Sequence, residues 1–284
     1  MKIRIGHSPD SDDAFMFWGL ASGAVKTPYE FEHELRDIQT LNEWAMEGRL
    51  ESTAVSVHAL AYVTDKYALL RHGGSFGEGY GPMLVARGFV ADSELAGTRV
   101  AIPGKMTSAF LALSLYWQER FGRAPQVEVV PFDQILPAVG SGSFAAGLII
   151  HEGQLTYGRE GFTLLADMGK WWNDSTGLPL PLGVNVVRKD LGPAAVREVD
   201  RCMRESIDQA LSHRSEALEY ALRFARGMDA ATSDEFVGMY VNERTRDMGE
   251  DGLQAIRLFL ARGAEIGLVP RVEVELAESL ARHK

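Results

Sequence analysis

The chain has a single cysteine, Cys202, in 284 residues. One thiol can form neither an intrachain disulfide nor a cysteine-based zinc site. Basic charge is also short: 29 Lys and Arg stand against 39 Asp and Glu, a formal net charge of -10. That balance argues against a nucleic acid or an anionic membrane as partner, since both demand a basic patch. It leaves room for a local pocket that takes an anionic small molecule. No apolar run approaches the ~18 residues of a membrane span. The N-terminus runs straight into MKIRI, without an apolar h-region or cleavage site, and a cytoplasmic location is expected. Two common signatures are missing as well. There is no GxSxG elbow, and GGSFGEGYGP (73–82) lacks the GK[ST] ending of a phosphate loop. That glycine-rich stretch reads as a flexible connector.

What is present is an alternation of strand-like and helix-like pieces. KIRIG is followed by helical DDAFMFWGLASG, FEHELRDI by TLNEWAMEG, and STAVSV by HALAYVTDKYALL. PMLVARG, TRVAIPG, QVEVVPF and AAGLIIHEG read as strands, with TSAFLALSLYWQERFG (107–122) and QILPAVGSG as helices among them. LPLGVNVVRKDL (180–191) is a further strand, and from Ala194 onward the apolar spacing is helical. Such alternation predicts an α/β fold with sheets covered by helices. PMLVARG and LPLGVNVV are read as two crossings. They bound a second lobe at 88–183, while 1–87 and 184–284 together form the first. Two α/β lobes joined by two strands around a cleft is the layout of type II periplasmic-binding-protein folds. Ligands in α/β layouts meet the carboxyl ends of strands, where loops and helix N-termini converge.

The polar residues fall at those ends. HSPDSDD (7–13) puts a histidine, two serines and three acids directly after the first strand. Helix capping by Ser11 or Asp12, with acids offsetting the helix dipole, accounts for one or two of them. The spacing of His7, Asp10, Asp12 and Asp13 matches no familiar metal loop, and no metal is expected. Ser56 lies near the end of STAVSV. Thr107 and Ser108 open a helix after the PGKM turn, where amides and hydroxyls can hold a carboxylate; N-capping by the same pair is compatible with that. Asn42 is read at a helix start in TLNEW, with capping and ligand contact both open. His151 ends the apolar run LIIH. A histidine there, facing a cleft, can serve as a general base near neutral pH. By periodicity alone a hydrogen-bonded core histidine fits equally well.

Longer segments run in order through nearly the whole chain: SPDSDDAFMF, TLNEWAMEGRL, GYGPMLVARG, VAIPGKMTSAFLALSLY, FDQILPAVGSG, AGLIIHEGQLTYG, WWNDSTGLPLPLG and MYVNERTRDMGEDG. In these the chain resembles the 1,4-dihydroxy-6-naphthoate synthase family of the futalosine route to menaquinone. The resemblance implies a solute-binding fold turned enzyme. It implies a carbon–carbon lyase that converts cyclic dehypoxanthine futalosine to 1,4-dihydroxy-6-naphthoate, with no cofactor. Its base would be the histidine of IIHE, His151. Its substrate contacts would include Ala54, Val55 and Ser56 and the hydroxyl pair Thr107 and Ser108. Asn42 and Asp10 complete the candidate substrate-binding set. The expected partner is a small molecule bearing a carboxylate. Two other readings share the fold: a solute receptor of an importer, which needs export, and the sister enzyme chorismate dehydratase. The IIHE and TGLPLPLG segments favour the synthase.

Overall fold

The computed structural model describes residues 1–151, 153–225 and 229–280. Its strands are β1 (Lys2–His7), β2 (Glu30–Leu35), β3 (Ser52–Ser56), β4 (Tyr67–Leu69), β5 (Ser75–Gly77), β6 (Met83–Ala86), β7 (Arg99–Ile102), β8 (Gln126–Val129), β9 (Ala146–Ile149), β10 (Thr163–Asp167) and β11 (Leu180–Arg188). They sort into two sheets. The first has the order β2-β1-β3-β11-β4, with β5 also paired to β11. In it β1 runs parallel to β2 and β3, and β11 is antiparallel to β3, β4 and β5. The second has the order β10-β6-β9-β7-β8. There β7 is parallel to β8 and β9, and β6 is antiparallel to β9 and β10.

Local chemistry explains how the helices near the cleft begin and seat. The helix Ile38–Glu47 starts where the Asp37 carboxylate accepts from the Thr40 N–H at 3.1 Å, and stops at Gly48, whose φ is 71°. A side-chain acceptor at the start and a left-handed glycine at the end are the usual punctuation of a helix. Its Leu41 presses onto β1 at Gly6. A Cβ there would lie 2.8 Å from Leu41 Cδ2 and 2.6 Å from Leu50 Cδ1, so the close approach needs glycine. The helix Pro193–Ser212 opens on proline, whose missing N–H costs nothing at that position. It lays Val196, Val199, Met203 and Ile207 against Ile3, Ile5, Phe15 and Phe17 of the first lobe.

One apolar cluster passes through both lobes. Val55, Leu60 and Val184 of the first join Leu84, Val100 and Ile102 of the second through Leu111, Leu113, Trp117 and Trp172. Trp172 meets Phe259 edge-on at 5.3 Å between ring centres. The lobes therefore share buried apolar surface, the dominant favourable term in folding.

The structure changes several expectations. β6 pairs in the second sheet, so a boundary at residue 88 would cut it from its partners, and β11 lies wholly in the first sheet, including 180–183. A strand's sequence shows its period but not which sheet will accept it. The YALL segment, read as helix, is β4; it pairs with β11 and bridges to Leu276. The glycine-rich stretch at 73–82 is not a loose connector. It carries β5, and Gly77 and Gly169 then close on the Tyr80 carbonyl, which a Cβ would approach to 1.9 and 1.8 Å. β10 and the helix Met168–Thr176 have no counterpart among the elements expected from the sequence. Among the described residues no helix is long and apolar enough to cross a membrane.

Candidate active site

The β3–β11 register sets one wall of a cleft between the lobes. It pairs Ser56 with Gly183 and Ala54 with Asn185. Side chains alternate across a strand, so Ala54 and Ser56 share the cleft face while Val55, fully buried, enters the core on the other. The expected contact from Val55 is thereby corrected. The cleft encloses about 790 Å³ of atom-free space, counting its open mouth. Ala54, Ser56, Thr107, Ser108, His151 and Asp10 all line it.

His151 is the one non-glycine residue in the left-handed region among those described, with φ of 55°. Such a conformation costs on the order of 1–3 kcal/mol and persists only where its surroundings enforce it. Here the enforcement is visible. The His151 carbonyl accepts from the Gln154 N–H at 3.1 Å. With its amide oriented to suit its neighbours, Gln154 accepts from the His151 N–H at 3.2 Å and donates to the Gly81 carbonyl at 2.7 Å. The imidazole lies edge-on to Phe132, ring centres 5.1 Å apart. Its Nδ1 stands 3.4 Å from Oδ2 of Asp10, a carboxylate that is almost entirely buried. Glu152, which completes the IIHE motif, lies outside the described residues.

At one end of the cleft the polar groups are occupied. Asn42 is not at a helix start and does not line the cleft; it is fully buried inside its helix. Its Nδ2 donates to Ser56 Oγ at 3.0 Å and to the Met106 carbonyl at 3.2 Å, and its Oδ1 accepts from the Ser56 N–H at 2.8 Å. It thus ties the end of β3 to the turn before the helix Ser108–Phe121. Thr107 caps that helix by accepting from the Phe110 N–H at 3.2 Å, while its own hydroxyl donates to the Gly104 carbonyl at 2.8 Å. The Ser108 hydroxyl donates to the Leu182 carbonyl of β11 and accepts from the His58 N–H at 3.3 Å. The Thr107 and Ser108 hydroxyls are committed to the scaffold. The helix, however, offers the Ser108 and Ala109 amides no intrahelical acceptor, and its dipole favours an anion there.

The other end is acidic. The helix Ser11–Met16 begins after Asp10 with no side-chain cap, contrary to the capping expected from Ser11 or Asp12. Asp13 instead turns back to accept from the Ser8 N–H at 2.6 Å. Burial, together with the charge of Asp10, still pushes the Asp13 carboxyl up to about 7. Burial, then the neighbouring Asp13 and Asp10, holds Asp12 well above the usual carboxylate range. His7 turns away from these acids. It stacks on Phe17 at 4.2 Å and its Nε2 meets His33 Nδ1 at 3.0 Å. Its Nδ1 faces the Ser8 carbonyl at 3.1 Å; a carbonyl only accepts, so Nδ1 carries the hydrogen and Nε2 accepts from His33. Burial, aided by His33, lowers His7 to about 3.

Comparison with known proteins agrees with this architecture. The family described as menaquinone biosynthesis matches residues 3–265. The chain belongs to that family. It is 44% identical over 266 residues to the 1,4-dihydroxy-6-naphthoate synthase of Thermus thermophilus, covering 94% of this chain and 95% of that one. Identity to the enzyme of the same name from Streptomyces coelicolor is 40% over 269 residues, again covering 94% and 95%. A crystal structure of an Archaeoglobus fulgidus protein superposes with a TM-score of 0.89 at 42% identity, covering 94% of this chain and 98% of that one. The alkanesulfonate-binding protein of Xanthomonas axonopodis superposes at 0.71 with only 12% identity, covering 98% and 97%. At that identity the match shows the periplasmic-binding-protein fold and nothing more.

Among the cleft residues of this family member that the sequence does not single out are the polar Gln154, Asn185 and Tyr240. Gln154 lies one turn beyond the predicted base, which is a usable signal. Asn185 interrupts the apolar run VNVV of β11, and a lone amide in a buried strand is likewise a signal. Tyr240 is delivered by the helix Ala230–Tyr240 from far along the chain, and nothing local marks it.

Proposed function

We propose that this chain is a 1,4-dihydroxy-6-naphthoate synthase, a carbon–carbon lyase acting on cyclic dehypoxanthine futalosine with His151 as general base. The observation that carries the reading is the placement of His151: a left-handed backbone at the end of β9, an imidazole on the cleft, and Asp10 Oδ2 3.4 Å from Nδ1. A carboxylate at Nδ1 favours the hydrogen on that nitrogen and leaves Nε2 as the basic lone pair. Asp10 also stabilises the imidazolium that forms once a proton is taken. The substrate carboxylate is assigned to the Ser108 and Ala109 amides at the N-terminus of the helix Ser108–Phe121. Those same dipoles stabilise negative charge that develops during bond cleavage. Asn42, Thr107 and Ser108 act through the scaffold by fixing that N-terminus against β3 and β11. Enclosure between two lobes keeps water from the reacting carbon.

The test is turnover of purified protein with cyclic dehypoxanthine futalosine, followed by release of 1,4-dihydroxy-6-naphthoate. Return of the compound unchanged would point to a receptor and overturn the reading. Full turnover by a folded His151→Ala protein would overturn the role of the histidine.

A further inference from the structure

We propose that the cleft contains a second recognition point, for hydroxyl groups of the substrate's sugar-derived end, formed by Asn185 Oδ1 and the Asp12 carboxyl. The assignment rests on the functional reading above and adds to it an orientation for the bound molecule.

Asn185 is the firmer half. It sits in β11 with 1% of its surface exposed, on the cleft wall. Its Nδ2 donates to the Gly73 carbonyl at 2.8 Å. A carbonyl cannot donate, so the amide orientation is settled and Oδ1 is the atom left over. That oxygen has no partner among the described residues. Buried acceptors are nearly always paired, and one left unpaired in a native cleft calls for a donor from outside the chain.

Asp12 supplies the second half. Its Oδ1 is likewise buried without a partner among the described residues, and the residue lines the same cleft. Asp12 and Met16 share a helix face at a spacing of four. A side chain starting at Gly73 would come within 3.1 Å of Met16 Sδ and 2.4 Å of Asn185 Nδ2. Gly73 therefore seats the Asn185 amide against Met16, one turn along the helix from Asp12.

The chemistry of this end selects its ligand. The Asp10 carboxylate stands in the same short segment as Asp12, so a substrate carboxylate is repelled here and belongs at the Ser108 amides instead. Burial and the neighbouring acids favour the protonated form of Asp12, which both donates and accepts. The Asn185 oxygen only accepts. A carboxyl biased toward its protonated form and an amide oxygen on the same cleft complement groups that both donate and accept, and hydroxyls do both.

The product is the discriminating probe, because 1,4-dihydroxy-6-naphthoate has lost the sugar-derived part. Asn185→Ala and Asp12→Ala are expected to lower kcat/KM for cyclic dehypoxanthine futalosine by about 10–100-fold, as a site stripped of its hydroxyl contact does. Inhibition by the naphthoate should stay within about threefold of wild type, since it lacks the groups those contacts would hold; it also reports that the cleft has folded. Asp12→Asn, neutral and of the same size, should recover most of the loss. An unchanged kcat/KM, or a parallel loss of naphthoate affinity in both alanine variants, would overturn the assignment. If wild type neither turned over the substrate nor bound the naphthoate, the functional reading itself would fall, and the assignment with it.

Discussion

The two ends of the cleft are built in opposite ways. At the Ser56–Thr107 end the hydroxyls and the Asn42 amide bond to the scaffold, across β3, β11 and the helix Ser108–Phe121. At the Asp10–Asp13 end Asp12 Oδ1 has no partner among the described residues, as is also true of Asn185 Oδ1 on β11, and burial holds two carboxyls above their ordinary range. At the first end the side chains form a rigid frame that leaves the Ser108 and Ala109 amides for a ligand. The second carries the cost of unpaired polar groups, a cost that a bound molecule can offset. His151 stands at the acidic end, strained in its backbone and facing Asp10. A site that positions with one end and reacts near the other has its stability and its activity in different residues.

That separation can be tested by breaking each part. The largest effect is expected at His151: replacement by Ala or Asn should cost about 10²–10⁴-fold in kcat, with folding retained. Steady-state kinetics and circular dichroism on the same preparations check this. Next is Asn42→Leu. It removes three hydrogen bonds and strands the Ser56 N–H and the Met106 carbonyl, so a loss of about 2–4 kcal/mol in urea unfolding is expected. An equally large loss from Asp13→Asn would erase the contrast between the ends.

Asp13→Asn is instead expected to act through pH. The folded carboxyl titrates at about 7, whereas an unfolded one loses its proton near ~3.9. Between those values the unfolded state binds fewer protons, so the Asp13 contribution falls as pH rises from about 4 to about 7 and then levels off. The variant should flatten that slope, by about 1–2 kcal/mol once screening at the open cleft is counted; melting temperatures across pH 4–8 measure it. The smallest effect at neutral pH concerns His7, whose pH dependence has the opposite sign. Its folded pKa of about 3 means the unfolded state binds the extra proton first. Its contribution is intact above about 6.5 and is lost as pH falls toward 3. His7→Gln should soften that acid limb while changing stability at pH 7 by about 1 kcal/mol or less.

Part of the site is legible in the residues alone. His151 closes a β-forming apolar run, and Thr107 stands where a helix must begin; both signals are local. Sequence misplaces Val55 and Asn42 for different reasons. Val55 lies between two residues that face the cleft, separated from them only by the strand's alternation, whereas Asn42 is turned inward by helix packing to bond Ser56. The acids of 7–13 are visible as a cluster, but capping is the wrong account of them, because neither the Ser8 amide as their partner nor the burial of the segment shows in the residue types.

Periodicity and residue type by themselves determined the α/β class, most strand and helix positions, and the location of a histidine at a strand end. These are properties of neighbours in the chain, fixed by backbone sterics and by which face of an element is apolar. Only the tertiary structure decided that β6 joins the second sheet, that Asn185 stands beside Ala54, and that Asn42 ties Ser56 to Met106. Pairings such as β3 with β11 join residues more than a hundred positions apart. They are selected by the burial of whole faces together, and no window of sequence contains that choice.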